Sequence, residues 1–264
     1  MNCFICKDNL SYSFSKQFNE YDLGNVDYYS CNTCGFTISS NHIQLSEKKW
    51  NQLNIDWHTE NNLKEKNPWN RDERYFNQSI MIFLLIKFNI IKGSNFLDWG
   101  SGEGGFSKKL YDLFSIKVNC YDKFVKPSVF PLAEAELKSN SYDFVVNNAV
   151  FEHVTKRETL DEINSFVNNT GILAIHTLVR ESIPKDPNWM YLLPVHSCFH
   201  TNKSMDLLMQ QWGYTCSVYN ENAKLWVMFK EDPKLFYSQI NDINKIIGYD
   251  YFKFKVGFVD FWKD

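Results

Sequence analysis

Residues 98–104 read Asp98-Trp99-Gly100-Ser101-Gly102-Glu103-Gly104, with Gly105 next, and this stretch decides the fold. An apolar run from Asn95 to Trp99 leads into the glycines, and a helical pattern from Gly105 to Phe114 leaves them. Glycines so placed allow a tight strand-to-helix turn and let a ligand approach the backbone closely. A side chain at Gly100 or Gly102 would occupy ligand space. Asp98 stands where a dinucleotide fingerprint has glycine, and a carboxylate there can accept a hydrogen bond from a ligand's ammonium group, directly or through water.

Outward from this loop, strand and helix patterns alternate. Apolar residues recur at helical spacing from Tyr75 to Ile91, and Lys92-Gly93-Ser94 closes that helix. Strands are predicted at Lys117–Tyr121, Tyr142–Asn147 and Gly171–Val179, with a helix over Arg157–Val167. Such alternation specifies a parallel α/β sheet, and a ligand then binds beyond the carboxyl ends of its strands, where the strand order reverses. Asp122 follows the second strand by one step and is placed to hold both hydroxyls of a ribose.

The other end of the chain carries different chemistry. Four of the seven cysteines form Cys3-x-x-Cys6 and Cys31-x-x-Cys34. Two such knuckles supply the closed tetrahedral thiolate set that structural Zn²⁺ prefers, with no position left for water. Between them, Ser11-Tyr12-Ser13-Phe14 and Val26-Asp27-Tyr28-Tyr29 alternate as strands, so residues 1–45 are predicted to form a zinc ribbon. Lys7 and Lys16 face Asp8, Glu20, Asp22 and Asp27 in this head. That acidity, like the net charge of −3, disfavours a nucleic-acid partner, which needs clustered Lys and Arg.

Residues 46–74 form a polar linker anchored by Trp50, Trp57 and Trp69, in which Asn67-Pro68-Trp69-Asn70-Arg71 would cap a ligand pocket. Residues 75–232 make the main domain. Residues 233–264, a helix and an aromatic tail, either cover a sheet edge or join two copies as a homodimer. The start Met1-Asn2-Cys3-Phe4 is unlike a secretory signal, and the apolar run Ile80–Phe88 is too short to span a bilayer. A cytoplasmic location is expected.

The loop with Asp98 and Asp122 resembles the first motifs of class I S-adenosylmethionine-dependent methyltransferases. Tyr142-Asp143-Phe144-Val145-Val146 with Phe151-Glu152-His153-Val154, and Asn169-Thr170-Gly171-Ile172-Leu173-Ala174-Ile175, are similar to the fourth and fifth strand motifs of the ubiquinone-biosynthesis-like branch. The resemblance implies an α/β, Rossmann-like sheet with helices on both faces, beside the small N-terminal zinc ribbon. It implies S-adenosylmethionine as donor and S-adenosylhomocysteine as product, held by Asp98, Gly100, Gly102, Gly104, Asp122, Lys123, Asn148, Arg71 and Tyr75. Its third strand is placed at Ser128–Phe130. The adenine-side loop at Leu132-Ala133-Glu134 lacks the frequent aspartate, and Asn169-Thr170 replaces the usual proline and glycine. Some relatives bind a metal through a glutamate three residues before the Glu-His pair; here that position is Ala149, so no catalytic metal is expected.

Methyl transfer to a hydroxyl needs positioning and a base, and histidine suits that task near neutral pH. His153, His196 and His200 are the candidates, in loops after the fourth and fifth strands. His176 is read as a packed core residue, while His42 and His58 are placed outside the pocket. The stretch from Pro194-Val195-His196 to Gln211-Trp212-Gly213-Tyr214 is similar to bacterial surface-glycan and deoxysugar methyltransferases. The expected reaction is O-methylation of a small polar acceptor such as a sugar, a sugar nucleotide or a polysaccharide precursor. Ribosomal RNA methylation and a catalytically silent zinc-ribbon interaction protein are the alternatives.

Overall fold

A computed structural model describes residues 1–62 and 71–260. In chain order the first elements are β1 (Leu10–Phe18), β2 (Gly24–Cys31), β3 (Thr37–Ser39), α1 (Ser40–Gln44), α2 (Glu47–Asn62) and α3 (Arg71–Lys87). Next come β4 (Phe96–Trp99), α4 (Gly105–Phe114), β5 (Asn119–Tyr121), β6 (Tyr142–Asn148), α5 (Arg157–Ser165) and β7 (Val167–His176). The rest are β8 (Val179–Arg180), β9 (Cys198–Thr201), α6 (Asn202–Gln211), β10 (Cys216–Asn220), β11 (Leu225–Phe229), α7 (Pro233–Ile247) and β12 (Lys253–Val256). They fall into two compact units. The first comprises Met1–Pro68, Val150–Leu160 and Leu178–Leu208; the second comprises Trp69–Ala149, Asp161–Thr177 and Met209–Asp264.

The second unit holds a seven-stranded sheet in the order β12-β10-β11-β7-β6-β4-β5. Strands β4 to β7 run parallel, and β11 turns back antiparallel to β7. The chain steps from β4 to β5 on one side and then to β6 on the other, so the order reverses at β4. Phe144, Val146 and Ala174 form one core with Met81 and Leu85 of α3, Phe106 and Leu110 of α4, and Phe236 and Ile240 of α7. On the alternate face Val145, Leu173 and Ile175 are also buried. Burial on both faces is why these strands read as continuous apolar runs.

Helix α4 has the bounds expected for it. Helix α3 stops at Lys87, short of Ile91, where Asn89 takes a φ of +59°. Strand β7 begins before Gly171 and ends at His176, and Val179 belongs to a different sheet. No strand forms at Ser128–Phe130; Pro131 makes one isolated parallel bridge to Cys120. Pro127 and Pro131 cannot donate to a ladder, and Phe130 has a φ of +45°. At the carboxyl end, β12 forms the sheet edge against β10.

The first unit holds a five-stranded sheet in the order β1-β2-β3-β9-β8. The β1–β2 hairpin and β3 occupy the segment read as a ribbon, and their sheet continues beyond residue 45. Strand β9 pairs antiparallel with β3 through Thr37↔Phe199 and Ile38↔Cys198, and β8 adds in parallel to β9. Phe14, Tyr28, Tyr191 and Phe199 share a core, so segments far apart in sequence make one unit. Helix α2 occupies most of the stretch read as linker. Of the expected cap, Asn67-Pro68-Trp69-Asn70 lies outside the described residues, as does the tail beyond Asp260. Among the described residues no helix is long and apolar enough to cross a membrane.

Candidate active site

In the second unit the glycine loop joins the carboxyl end of β4 to α4. Asp98 is 1% exposed, and its Oδ2 accepts a hydrogen bond from Ser107 Oγ at 3.0 Å. Its Oδ1 is buried without a partner. Burial pushes the Asp98 carboxyl up to about 7, with Ser107 opposing and the charge of Asp122 adding to the rise. Such a group is incomplete until a donor or cation reaches it. Gly102 has a φ of +56°, and a Cβ there would meet no protein atom within 4 Å. Its side-chain position is open space.

Asp122 organises this loop as well as facing it. Its Oδ2 accepts from Gly102 N at 2.8 Å, and its Oδ1 accepts from Phe124 N and Val125 N at 2.8 and 2.9 Å. The carboxylate therefore ties the loop to the turn after β5, a role not visible in the sequence. A cleft of about 500 Å³ opens there, lined by Tyr121, Asp122, Lys123, Leu132, Ala133 and Glu134 among others. Gly100 and Gly104 share the positive φ of Gly102. Asn148 ends β6 with neither amide atom hydrogen-bonded, and Arg71 begins α3. The Tyr75 ring lies against Gly105, where a Cβ would come within 2.7 Å of it.

His176 is not a core residue. It ends β7 opposite Asn148, with Nδ1 donating to Lys224 O at 2.6 Å and Nε2 accepting from Arg74 Nη1 at 3.0 Å. Burial, reinforced by the Arg74 charge, holds its pKa down to about 3. The Arg74 guanidinium lies over the Tyr75 ring at 5.1 Å, and its Nε is buried with no partner. Asp98, Asn148 and Arg74 thus all carry buried, unpaired polar atoms. They cluster at the strand ends where a ligand is expected.

The other histidines belong to the first unit. His153 lies 3.1 Å through Nδ1 from Asn54 Oδ1, and the Asn54 amide nitrogen donates to Trp50 O, so the ring donates from Nδ1. His196 donates from Nδ1 to Tyr191 O at 2.7 Å. Neither Nε2 makes a hydrogen bond among the described residues. The two rings meet edge to face at 5.0 Å. Glu152, 2% exposed, accepts at Oε1 from the Tyr191 hydroxyl at 2.6 Å. One ligand atom each from Glu152, His153 and His196 lies within 4.8 Å of the others. A carboxylate and two imidazoles thus converge even though Ala149 lacks one. Burial drives His196 down to about 4, and burial with neighbouring His196, His58 and His42 drives His153 well below its ordinary value.

His58 and His42, read from sequence as outside the pocket, lie beside the Glu152–His153–His196 group without joining it. His58 stacks on His153 at 5.6 Å, and His42 donates from Nε2 to Pro194 O at 2.8 Å, two residues from His196. His200 lies in β9, not in a loop. It is 0% exposed between Phe36 and Phe151, with ring distances of 5.1 and 5.7 Å, and it does not join the His153–His196 group. The alternation Cys198-Phe199-His200-Thr201 was the available signal.

A family profile described as a methyltransferase domain matches residues 69–217, more than half of the chain. The chain belongs to this methyltransferase family. The unpaired Asp98 oxygen, the open space at Gly102 and the cleft beside Asp122 fit S-adenosylmethionine as a donor. No curated protein sequence matches it. Among solved structures, the CurJ carbon methyltransferase is similar at 15% identity over 67% of this chain and 59% of that one, TM-score 0.40. The plantazolicin methyltransferase BpumL, with S-adenosylhomocysteine and a triazolic analogue, is 12% identical over 70% and 92%, TM-score 0.44. The magnesium protoporphyrin IX methyltransferase of Synechocystis PCC 6803 is 15% identical over 70% and 97%, TM-score 0.43. The methyltransferase thus spans under two thirds of the first of these chains. At such distances no acceptor carries over.

In the methyltransferase's first unit the four cysteines of the two knuckles also converge within 4.8 Å, none of them disulfide-bonded. Cys3 and Cys34 sulfurs are 3.6 Å apart, Cys6 and Cys31 sulfurs 3.3 Å. Tetrahedral Zn–S bonds place sulfurs roughly 3.8 Å apart, so little movement separates this set from a metal cage.

A Gly102→Ala substitution tests whether the open space belongs to the donor. The positive φ costs about 1 kcal/mol, a shift of a few degrees in melting. S-adenosylhomocysteine affinity by calorimetry is expected to fall at least tenfold. Unchanged affinity would remove Gly102 from the donor site.

Proposed function

We propose that this methyltransferase transfers the methyl group to an oxygen of a small polar acceptor, such as a sugar, a sugar nucleotide or a surface-polysaccharide precursor. The observation that supports this reading is the His153–His196 pair, neutral and with Nδ1 protons committed, so that each Nε2 is free to act on a hydroxyl. When bound, S-adenosylmethionine supplies an electrophilic methyl on sulfonium sulfur. His153 or His196 would accept the proton of the acceptor hydroxyl at Nε2. Asp98 would hold the donor's ammonium group and Asp122 its ribose, with Lys123, Asn148, Arg71 and Tyr75 as further contacts. A structural Zn²⁺ at Cys3, Cys6, Cys31 and Cys34 would hold the ribbon. His200, enclosed by aromatic rings, serves packing in this reading.

The test is transfer of labelled methyl to a panel of nucleotide-sugars and to ribosomal RNA, using the wild type and the His153→Asn, His196→Asn and His200→Asn variants. Loss of about 10² or more in kcat is expected for His153 or His196 at unchanged donor affinity. Label in RNA alone, or full rate in both the His153 and His196 variants, would overturn the reading.

A further inference from the structure

We propose that Glu152, His153 and His196 bind a divalent transition-metal ion through one carboxylate oxygen and the two Nε2 atoms. One ligand atom of each of the three residues already lies within 4.8 Å of the others, and two of the residues come from a segment separate from the third in sequence. Bonds of about 2.1 Å would draw them to roughly 3 Å apart, a closure that ring and carboxylate rotation supplies.

The surroundings match those of a metal centre. A ligating histidine donates its other ring nitrogen to a carbonyl or carboxylate, which fixes both tautomer and orientation. His153 does so to Asn54 Oδ1 and His196 to Tyr191 O, leaving each Nε2 lone pair uncommitted. The Tyr191 hydroxyl does the same for the carboxylate by donating to Glu152 Oε1. Tyr191 therefore serves two of the three donors at once, through its carbonyl and its hydroxyl. His42 and His58 pack around the group without sharing the convergence. Two imidazoles and one carboxylate select zinc, iron or cobalt over magnesium, and three protein ligands leave positions open.

The role of the ion rests on the O-methylation reading. An acceptor hydroxyl in an open position would be made more acidic by the ion and would give up its proton to water near neutral pH. His153 and His196 would then be ligands in place of free bases.

The experiment strips the full chain with chelator, reloads it with Co²⁺, and records metal content and visible absorption. The wild type is expected to hold about one ion more than the cysteine set accounts for. Its d–d bands should include a component without thiolate charge transfer. Glu152→Ala and His196→Ala should lose that ion and that component while the thiolate bands remain. Only thiolate-bound Co²⁺ in the wild type, or an extra ion kept by both variants, would overturn the proposal. The wild-type count decides even if a variant misfolds. A failed acceptor reading would leave the Co²⁺ count unchanged, and a failed count would leave label transfer to hydroxyls unchanged.

Discussion

An Asp98→Asn variant should bind S-adenosylhomocysteine at least 100-fold more weakly while its ligand-free form melts at a higher temperature than wild type at pH 8. Both effects come from one buried carboxyl. Its folded pKa of about 7 lies above the usual value of 3.8, so the folded state holds its proton more tightly than the unfolded state between those limits. The penalty is absent below about pH 4, grows as pH rises, and is complete above about pH 7. It amounts to roughly 4 kcal/mol. Asparagine removes the penalty and also removes the charge that a donor's ammonium group requires. In the wild type, donor affinity should therefore climb with pH through about 7 and then level off. Thermal melts at pH 4 and pH 8 with calorimetry check this. A variant no more stable at pH 8, or one that keeps its affinity, would show that Asp98 is not strained for binding.

A Cys34→Ser variant is expected to lose the Zn²⁺ proposed at the four cysteines and with it the fold of the first unit. Four-ligand zinc contributes on the order of 10–16 kcal/mol to small domains, as much as the whole stability of an ordinary one. The knuckle also reaches into the sheet. Cys34 O accepts from Thr201 Oγ1, Gly35 packs on the Thr201 side chain, and Arg157 donates to Phe4 O at 3.2 Å. Because Glu152, His153 and His196 belong to the same unit, methyl transfer should fall below detection. Zinc content, limited proteolysis and label transfer are the measurements. A variant free of zinc yet resistant to protease and fully active would refute a structural metal there.

What could be read in the sequence was whatever neighbours in sequence decide. The glycine loop, Asp98, the bounds of α4 and the cysteine knuckles are local patterns, and Asp122 lies one strand away. The strand, loop and helix on which the donor residues are proposed were therefore legible. The long-range side was not. Nothing around His58 or His42 signals that they meet His153 or the loop of His196, because those contacts depend on how α1 and α2 pack. His176 is not the core residue that an apolar run continued to Val179 implies, because β7 ends at His176 and leaves it only partly buried. The third strand failed on its prolines. The ribbon's missing partner, β9, follows β3 by most of the chain length.

That last pairing bears on how the protein is made. The sheet begun by β1, β2 and β3 is finished only when Cys198–Thr201 has been synthesised. At ordinary translation rates the ribosome needs roughly 10–30 s to cover that interval, during which the ribbon's hairpin has an open edge and its thiols have no completed sheet around them. A ribosome-bound fragment ending near residue 60 should accordingly expose Cys3 and Cys34 to alkylation, whereas the finished chain buries both. Strands β1 to β3 are thus translated long before the partner that completes their sheet.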